Sequence, residues 1–395
     1  MPGTMQYIRK FGNVSFCDMP FGDADNVALC EVTYMPFEKV VSESFTDEPR
    51  PFDEVCRAMF SYNGNRHRAL GLMIKKGISV KMMEMSKQKR FSEMKIVACT
   101  ETFKSNPAVQ FAAATFILPD GNLVVSFRGT DDSLIGWKED IDLFVRNTIP
   151  SHALAVEYIE NVAKHFEGGI TIIGHSKGGN VSLFAALNCS EETRSRIKAV
   201  YNNDGPGFYD NSPYRTKQYQ DLLPRYNHFI PSSSFVGVLL AFDKDYTVVK
   251  SNRILGPTQH DLGTWQIADS DLKTLPHPSK LAKINEICLS GILYRINSDQ
   301  RNNFERIATA IIEGSGQRNL TGVSKHIPSV VKNTVETWKN LDEDSKKEFK
   351  DTFSGSSNII KDTVKLVVLE DDEKAREHAL EGLASQRVKV EALEI

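Results

Sequence analysis

Residues 171–187 read TIIGHSKGGNVSLFAAL. The apolar run Ile170–Ile173 precedes a glycine-rich turn, and beyond Ser176 the residues Val181, Leu183, Phe184 and Leu187 recur at helical spacing. This order predicts strand, tight turn and amphipathic helix. A serine at such a turn sits in a cramped backbone conformation that calls for small residues two before and two after it, and Gly174 and Gly178 stand there. Ser176 Oγ is then expected above the edge of a sheet as a nucleophile. The backbone N–H of Lys177, opening the helix, is expected to face the oxyanion that forms on attack. A bare G-x-S-x-G is a weak pattern; the strand before it and the helix after it make it specific.

Working outward, residues 111–130 read FAAATFILPDGNLVVSFRGT, two β-rich runs joined by Asp120-Gly121, a hairpin signal because both residues accept positive φ. A helix is expected from about His152 to Phe166, with further strands at Ile197–Tyr201, Tyr226–Ile230 and Tyr246–Lys250. Residues 20–95 carry a helical pattern, with helix starts at Asp25 and after Pro51. The alternation of strand and helix predicts an α/β protein with a mostly parallel central sheet covered on both faces.

The 395-residue chain carries 48 basic and 51 acidic residues, so no basic field is present to hold a nucleic acid. The amino terminus lacks a signal-peptide core, and the longest apolar runs, such as Phe235–Phe242, are too short to span a bilayer. The expectation is a soluble, cytoplasmic protein. Six scattered cysteines read as reduced thiols. Beyond residue 300 the apolar residues Phe304, Ile307, Ala308 and Ile311, and later Ile359, Ile360, Val364, Leu366 and Val367, keep helical spacing, and residues 341–395 hold 14 acidic against 9 basic residues. The expected division is a catalytic domain over 1–300 and an acidic helical extension over 301–395. Gly314–Gly316 would act as a hinge and Ser354–Ser357 as a break between helices.

The ordered segments FRGTDDSLIGWKED, GHSKGGN, VYNNDGPGF, IPSSSFVGVLL and QHDLGTW, with PFGDADNVALCEVTYMPFEKV before them, resemble the Mbeg-like α/β-hydrolases, a group of bacterial lipase-like proteins related to class 3 lipases. The resemblance covers roughly residues 5 to 270 and implies an α/β-hydrolase fold. In class 3 lipases the F-R-G-[ST] strand end supplies the second oxyanion donor, and a W-x-x-D segment follows it. Thr130 matches that donor, through its backbone N–H and its hydroxyl, and Trp137 and Asp140 match the W-x-x-D spacing. For Arg128 an internal ion pair is the expected role, and for His175 packing behind the serine.

A nucleophilic serine needs a base and an acid that orients it, and α/β-hydrolases place these in the order Ser, acid, His. Of the histidines after Ser176, His228 lies in a strand, His277 between two prolines, and His326 and His378 in the helical region. His260, in a loop after the last expected strand, is the candidate base. Class 3 lipases carry the acid just after the strand that here reads YNHFIPSSS, yet serines occupy that place. Asp204, at the end of the preceding strand, is the favoured acid, with Asp243, Asp245 and Asp261 as alternatives. The expected activity is a serine esterase acting on carboxylic, acyl-lipid esters. The alternative is an inactive scaffold that binds partners or self-associates through its helical tail. The chain contains neither H-E-x-x-H nor a phosphate-loop motif, so neither metal nor cofactor is expected. The SFVGVLLAF run is read as an acyl-pocket lining, a lid, or a core helix, and peripheral membrane contact stays open.

Overall fold

The computed structural model describes residues 3–63, 77–240, 246–293, 297–317, 319, 322 and 326–354. Among these, eleven strands are present: β1 (Arg50–Pro51), β2 (Lys95–Ser105), β3 (Ala108–Ile117), β4 (Leu123–Phe127), β5 (Ile170–His175), β6 (Ile197–Asn203), β7 (Tyr226–Pro231), β8 (Tyr246–Val249), β9 (Ile267–Ala268), β10 (Asp271–Leu272) and β11 (Thr274–Leu275). The helices are α1 (Thr4–Phe11), α2 (Asp23–Val32), α3 (Phe52–Asn63), α4 (Ile78–Met85), α5 (Lys89–Ser92), α6 (Leu134–Val145), α7 (Pro150–His165), α8 (Lys177–Asn188), α9 (Glu191–Ser195), α10 (Lys217–Leu222), α11 (Gly256–Gln259), α12 (Lys280–Leu293), α13 (Ser298–Gly314), α14 (Ile327–Asn340) and α15 (Glu343–Ser354).

The main sheet runs β1-β2-β3-β4-β5-β6-β7-β8-β11, and β9 pairs with β10 as a separate ribbon. The α/β class expected from the sequence holds, but the sheet is mixed. Pairing is parallel from β4 to β8 and antiparallel among β1 to β4 and between β8 and β11. The antiparallel flank arises partly from β2, which the sequence reading missed even though Ile96, Val97, Thr100 and Thr102 favour extended backbone. It pairs along nearly its whole length with β3.

Successive residues of a strand point to opposite faces. Val124 and Ile173 accordingly enter one core with Val27, Leu29, Phe52 and Trp265, whereas Val125 and Ile172 enter the other with Ile159, Val162, Leu183 and Ala186. The amino-terminal helices thus cover one face, and α7 and α8 cover the other. The β3–β4 hairpin forms, but only Gly121 takes positive φ, at 83°. Asp120 acts through its carboxylate, which accepts from the Asn122 N–H at 2.9 Å, because the loop is longer than the two-residue turn expected.

Helix α2 begins at Asp23, two residues before the expected start. Asp25 sits inside its first turn and its carboxylate accepts from the Gly22 N–H at 3.1 Å. The same carboxylate is buried against Arg90, whose Nη2 donates to Oδ2 at 2.5 Å and Nε to Oδ1 at 2.8 Å. At the other end of the chain, α13 starts at Ser298 and packs across α6, where Arg146 Nη2 donates to Glu305 Oε2 at 2.6 Å and Lys138 pairs with Glu313. Gly316, in the expected hinge, takes φ 68°. The apolar positions at 359–367 lie outside the described residues.

Candidate active site

Parallel register brings the carboxyl ends of the central strands level: Phe127 is opposite Gly174, His175 opposite Asn203, and Asn203 opposite Phe229. The loops that leave these strands therefore meet along one edge, where open α/β sheets hold their sites. Those loops carry Thr130, Ser176, Asp204 and Ser234.

Ser176 is the residue between β5 and α8, with φ 57° and ψ −132°. A side chain rarely adopts this conformation, and its surroundings hold it there. A Cβ on Gly174 would overlap the carbonyl oxygen of Gly178, and one on Gly178 would overlap that of Phe127. The glycines are thus required by backbone contact between β4, β5 and α8. The Ser176 N–H donates to the Asn203 carbonyl at 3.0 Å, which ties the turn to β6. Among the described residues the Ser176 hydroxyl and the backbone N–H groups of Lys177 and Thr130 make no hydrogen bond. Gly129 lies so close to Ser176 that a Cβ there would stand 3.0 Å from the Ser176 Cβ, which places the β4-end loop beside the serine.

His260 follows α11 and is buried. Its Nδ1–H donates to Asp204 Oδ2 at 2.7 Å. Asp204 is fully buried, with φ 51°. Its other oxygen, Oδ1, accepts from Ser234 Oγ at 2.5 Å and from the Gly237 N–H at 3.0 Å. Hydrogen bonds to the ionised carboxylate offset its loss of water. The loop after β7, where the lipase resemblance places an acid, therefore contributes donors to Asp204, one strand away. Asp261, an alternative acid, uses Oδ1 to accept from its own loop, the Gly263 N–H at 3.0 Å. Asp243 and Asp245 lie outside the described residues.

Behind the serine, His175 packs against His260 with ring centroids 4.5 Å apart. His175 Nε2–H donates to the His260 carbonyl at 2.8 Å, so Nδ1 is the acceptor for the Tyr34 hydroxyl, also at 2.8 Å. Burial, with the neighbouring His260 charge second, holds His175 well below the usual histidine range and hence neutral. Burial also keeps the Tyr34 phenol protonated and able to donate. His175 thus holds the main chain of His260 and Tyr34 holds His175, a part for Tyr34 that sequence reading missed.

The Lys177 side chain turns away from the serine. Nζ donates to Glu139 Oε2 at 2.7 Å, to the Gln110 carbonyl at 2.8 Å and to Gln110 Oε1 at 3.0 Å, with both ions of the pair buried. Glu139 Oε1 accepts from Ser151 Oγ at 2.6 Å and from the Ser151 N–H at 3.1 Å. This network fastens α6 and α7 to the first residue of α8. Glu139 was visible between Trp137 and Asp140, but nothing in the sequence tied it to Lys177.

The Thr130 hydroxyl donates to Asp140 Oδ1 at 2.7 Å. That corrects the expectation that the hydroxyl is free to face an oxyanion. Arg128 pairs with Glu101, as expected of an internal ion pair. The SFVGVLLAF segment forms turns rather than a helix through residue 240; Val238, Leu239 and Leu240 are buried, whereas Phe235 is exposed.

Burial raises Asp140 to about 6, against smaller opposing effects of Lys177 and the Thr130 hydrogen bond, and burial likewise raises Asp23 and Asp142 to about 6. Each holds a proton in the folded state, between about pH 4 and 6, that the unfolded chain has already released, so stability falls as pH rises through that window. Asp140→Asn is expected to flatten part of this fall, narrowing the drop in Tm from pH 4 to 6.5 by on the order of 2–4 °C. A melting series in which the variant declines as steeply as the native protein would overturn the assignment.

Among the described residues no group of His, Cys, Asp and Glu is placed to hold a metal ion, and no helix is long and apolar enough to cross a membrane. Cys17, Cys30, Cys56, Cys99 and Cys189 are free thiols, and burial pushes the last up to about 11. A model of the Mbeg1-like family matches residues 85–308, more than half of the chain. No curated protein matches it.

Proposed function

The chain belongs to the Mbeg1-like family, and from the groups gathered at its sheet edge we propose that it is a serine hydrolase cleaving carboxylic esters, acyl-lipid esters in particular, through an acyl-enzyme. The observation that carries this reading is the 2.7 Å hydrogen bond from His260 Nδ1 to the fully buried Asp204, beside a serine held at positive φ between a strand and a helix. Strain at a polar residue, a histidine with a fixed tautomer and two unpaired backbone donors are what acyl transfer uses.

With Nδ1–H committed to Asp204, His260 Nε2 carries the lone pair. Ser176 Oγ attacks the ester carbonyl and its proton passes to Nε2, a transfer for which substrate binding draws the two groups together. The carbonyl electrons move onto oxygen, where the Lys177 and Thr130 N–H groups donate to the oxyanion. Collapse expels the alkoxide, which takes the proton from His260 and leaves as the alcohol. Water then repeats the sequence on the acyl-serine, releasing the acid and restoring Ser176. The resemblance to class 3 lipases and the apolar 238–240 segment beside Asp204 favour an acyl chain over a polar one.

A fluorophosphonate probe tests this reading. The native protein is expected to label, and Ser176→Ala to lose the label. An unlabelled native protein, under conditions that label a control esterase, would sink the hydrolase and leave the fold as a binding scaffold.

A further inference from the structure

Large apolar side chains stand exposed in the neighbourhood of His260. Ile254 is 88% exposed and Leu255 66% exposed, on the loop that leads through α11 into His260. Phe235 and Leu281 are also exposed, at 41% and 48%. These residues come from three segments stitched into one rim. Gln259 Oε1 accepts from the Ser233 N–H at 2.9 Å, while its Nε2 donates to the carbonyls of Arg253 at 2.8 Å and Ile254 at 3.2 Å. Gly256 packs so closely on Ser233 that a Cβ there would overlap its carbonyl oxygen. The Ser279 N–H donates to the Ser232 carbonyl at 2.6 Å, and Ser279 Oγ lies 2.9 Å from Ser233 Oγ. Water-facing isoleucine and leucine at adjacent positions of a tied-down loop gain nothing for the fold, and such clustering marks a surface that meets another apolar phase.

Charge selects the phase. Lys250 and Arg253, just before the apolar pair, and Lys273, whose carbonyl accepts from the Lys250 N–H at 2.8 Å, are exposed. None of the three is paired with a carboxylate among the described residues. We propose that this rim docks on an anionic lipid surface, with Ile254, Leu255 and Phe235 entering the headgroup–acyl boundary and Lys250, Arg253 and Lys273 meeting lipid phosphates. Apolar tips that insert, beside cations that attract the surface, are the two signals that peripheral attachment combines. Docking there sets the loop bearing His260 against the lipid, so that an acyl ester reaches the sheet edge from the bilayer instead of from water. The docking surface stands without the hydrolase reading; the delivery of substrate rests on it.

The test is sedimentation of the full chain with phosphatidylcholine vesicles, with and without about 30% phosphatidylglycerol. The native protein is expected to bind the anionic vesicles and to leave them as salt is raised. Ile254→Asp combined with Leu255→Asp is expected to weaken binding at least roughly ten-fold, and Lys250→Gln with Arg253→Gln by about twenty-five-fold, at near five-fold per cation. Both pairs should keep native fluorophosphonate labelling. A native protein that ignores anionic vesicles overturns the proposal. So does a native dimer, seen by light scattering, that the Ile254→Asp, Leu255→Asp pair converts to monomer, since a second copy would then cover the rim. A native protein that binds anionic vesicles but takes no fluorophosphonate label would instead fault the hydrolase reading alone.

Discussion

Asp204→Asn is expected to lower kcat on a short p-nitrophenyl ester by roughly 10⁴-fold, the loss that follows when a triad acid is replaced by its amide. The surroundings of Asp204 dictate why. Oδ1 faces two donors, Ser234 Oγ and the Gly237 N–H, whereas Oδ2 faces one, His260 Nδ1. An asparagine satisfies the two donors only by turning its carbonyl toward them, which aims its NH₂ at His260. Nδ1 must then accept, the ring proton moves to Nε2, and the nitrogen that should take the serine proton no longer has a lone pair to offer. The side-chain volume hardly changes, so melting temperature serves as the control for folding. Ser234→Ala removes one donor and leaves the tautomer alone; its loss should be about ten-fold, the worth of one hydrogen bond to a charged group. If Asp204→Asn stays within ten-fold of native turnover, Asp204 is not the acid, and Asp243 and Asp245 become the positions to substitute.

Glu139→Ala should have the largest effect on stability. It strands the Lys177 ammonium, 2% exposed in side chain, with only the oxygens of Gln110 as partners, and strips an acceptor from the Gln110 N–H and both Ser151 donors. Breaking a buried pair from one side costs about 3–5 kcal/mol, which corresponds to a fall in Tm of roughly 4–6 °C for a chain of this size. The remedy is diagnostic: Glu139→Leu with Lys177→Met should recover the part of the loss that comes from the stranded ammonium, because two apolar side chains remove both charges' desolvation penalties, while the Gln110 and Ser151 donors still lack that acceptor. A Glu139→Ala variant melting within about 2 °C of the native protein would show that the pair is not a buried constraint. Since Lys177 also supplies the backbone donor next to Ser176, the single variant should lose turnover beyond what its melting temperature explains, whereas the double variant should regain it.

The parts of the site that were legible in the sequence are those whose cause is local. Gly174, Ser176 and Gly178 announced the turn because backbone crowding demands small residues at fixed offsets, and the period of Val181, Leu183, Phe184 and Leu187 announced the helix after it. His260 was reached by weighing histidines in chain order. Ser234, Glu139 and Tyr34 were not legible in the same way. Serine, glutamate and tyrosine have ordinary structural uses everywhere in a chain, and only their partners distinguish these three. Strand β2 was overlooked for a related reason: its β-branched residues sit on both faces of an eleven-residue strand beside a helical region, and its pairing with β3 decides its state.

By itself the sequence determined the strand–turn–helix around Ser176 and the α/β class, since both follow from periodicity and from steric demands that act within a few residues. Tertiary structure alone decided that Asp204 meets His260, 56 positions away, that the loop after β7 donates to Asp204, and that the Thr130 hydroxyl answers to Asp140. Those outcomes depend on strand order and register, which bring the ends of β4, β5, β6 and β7 level at one edge. Side-chain pairing across that edge is a matter of distance in space, which hydrophobic pattern and residue spacing along the chain do not encode.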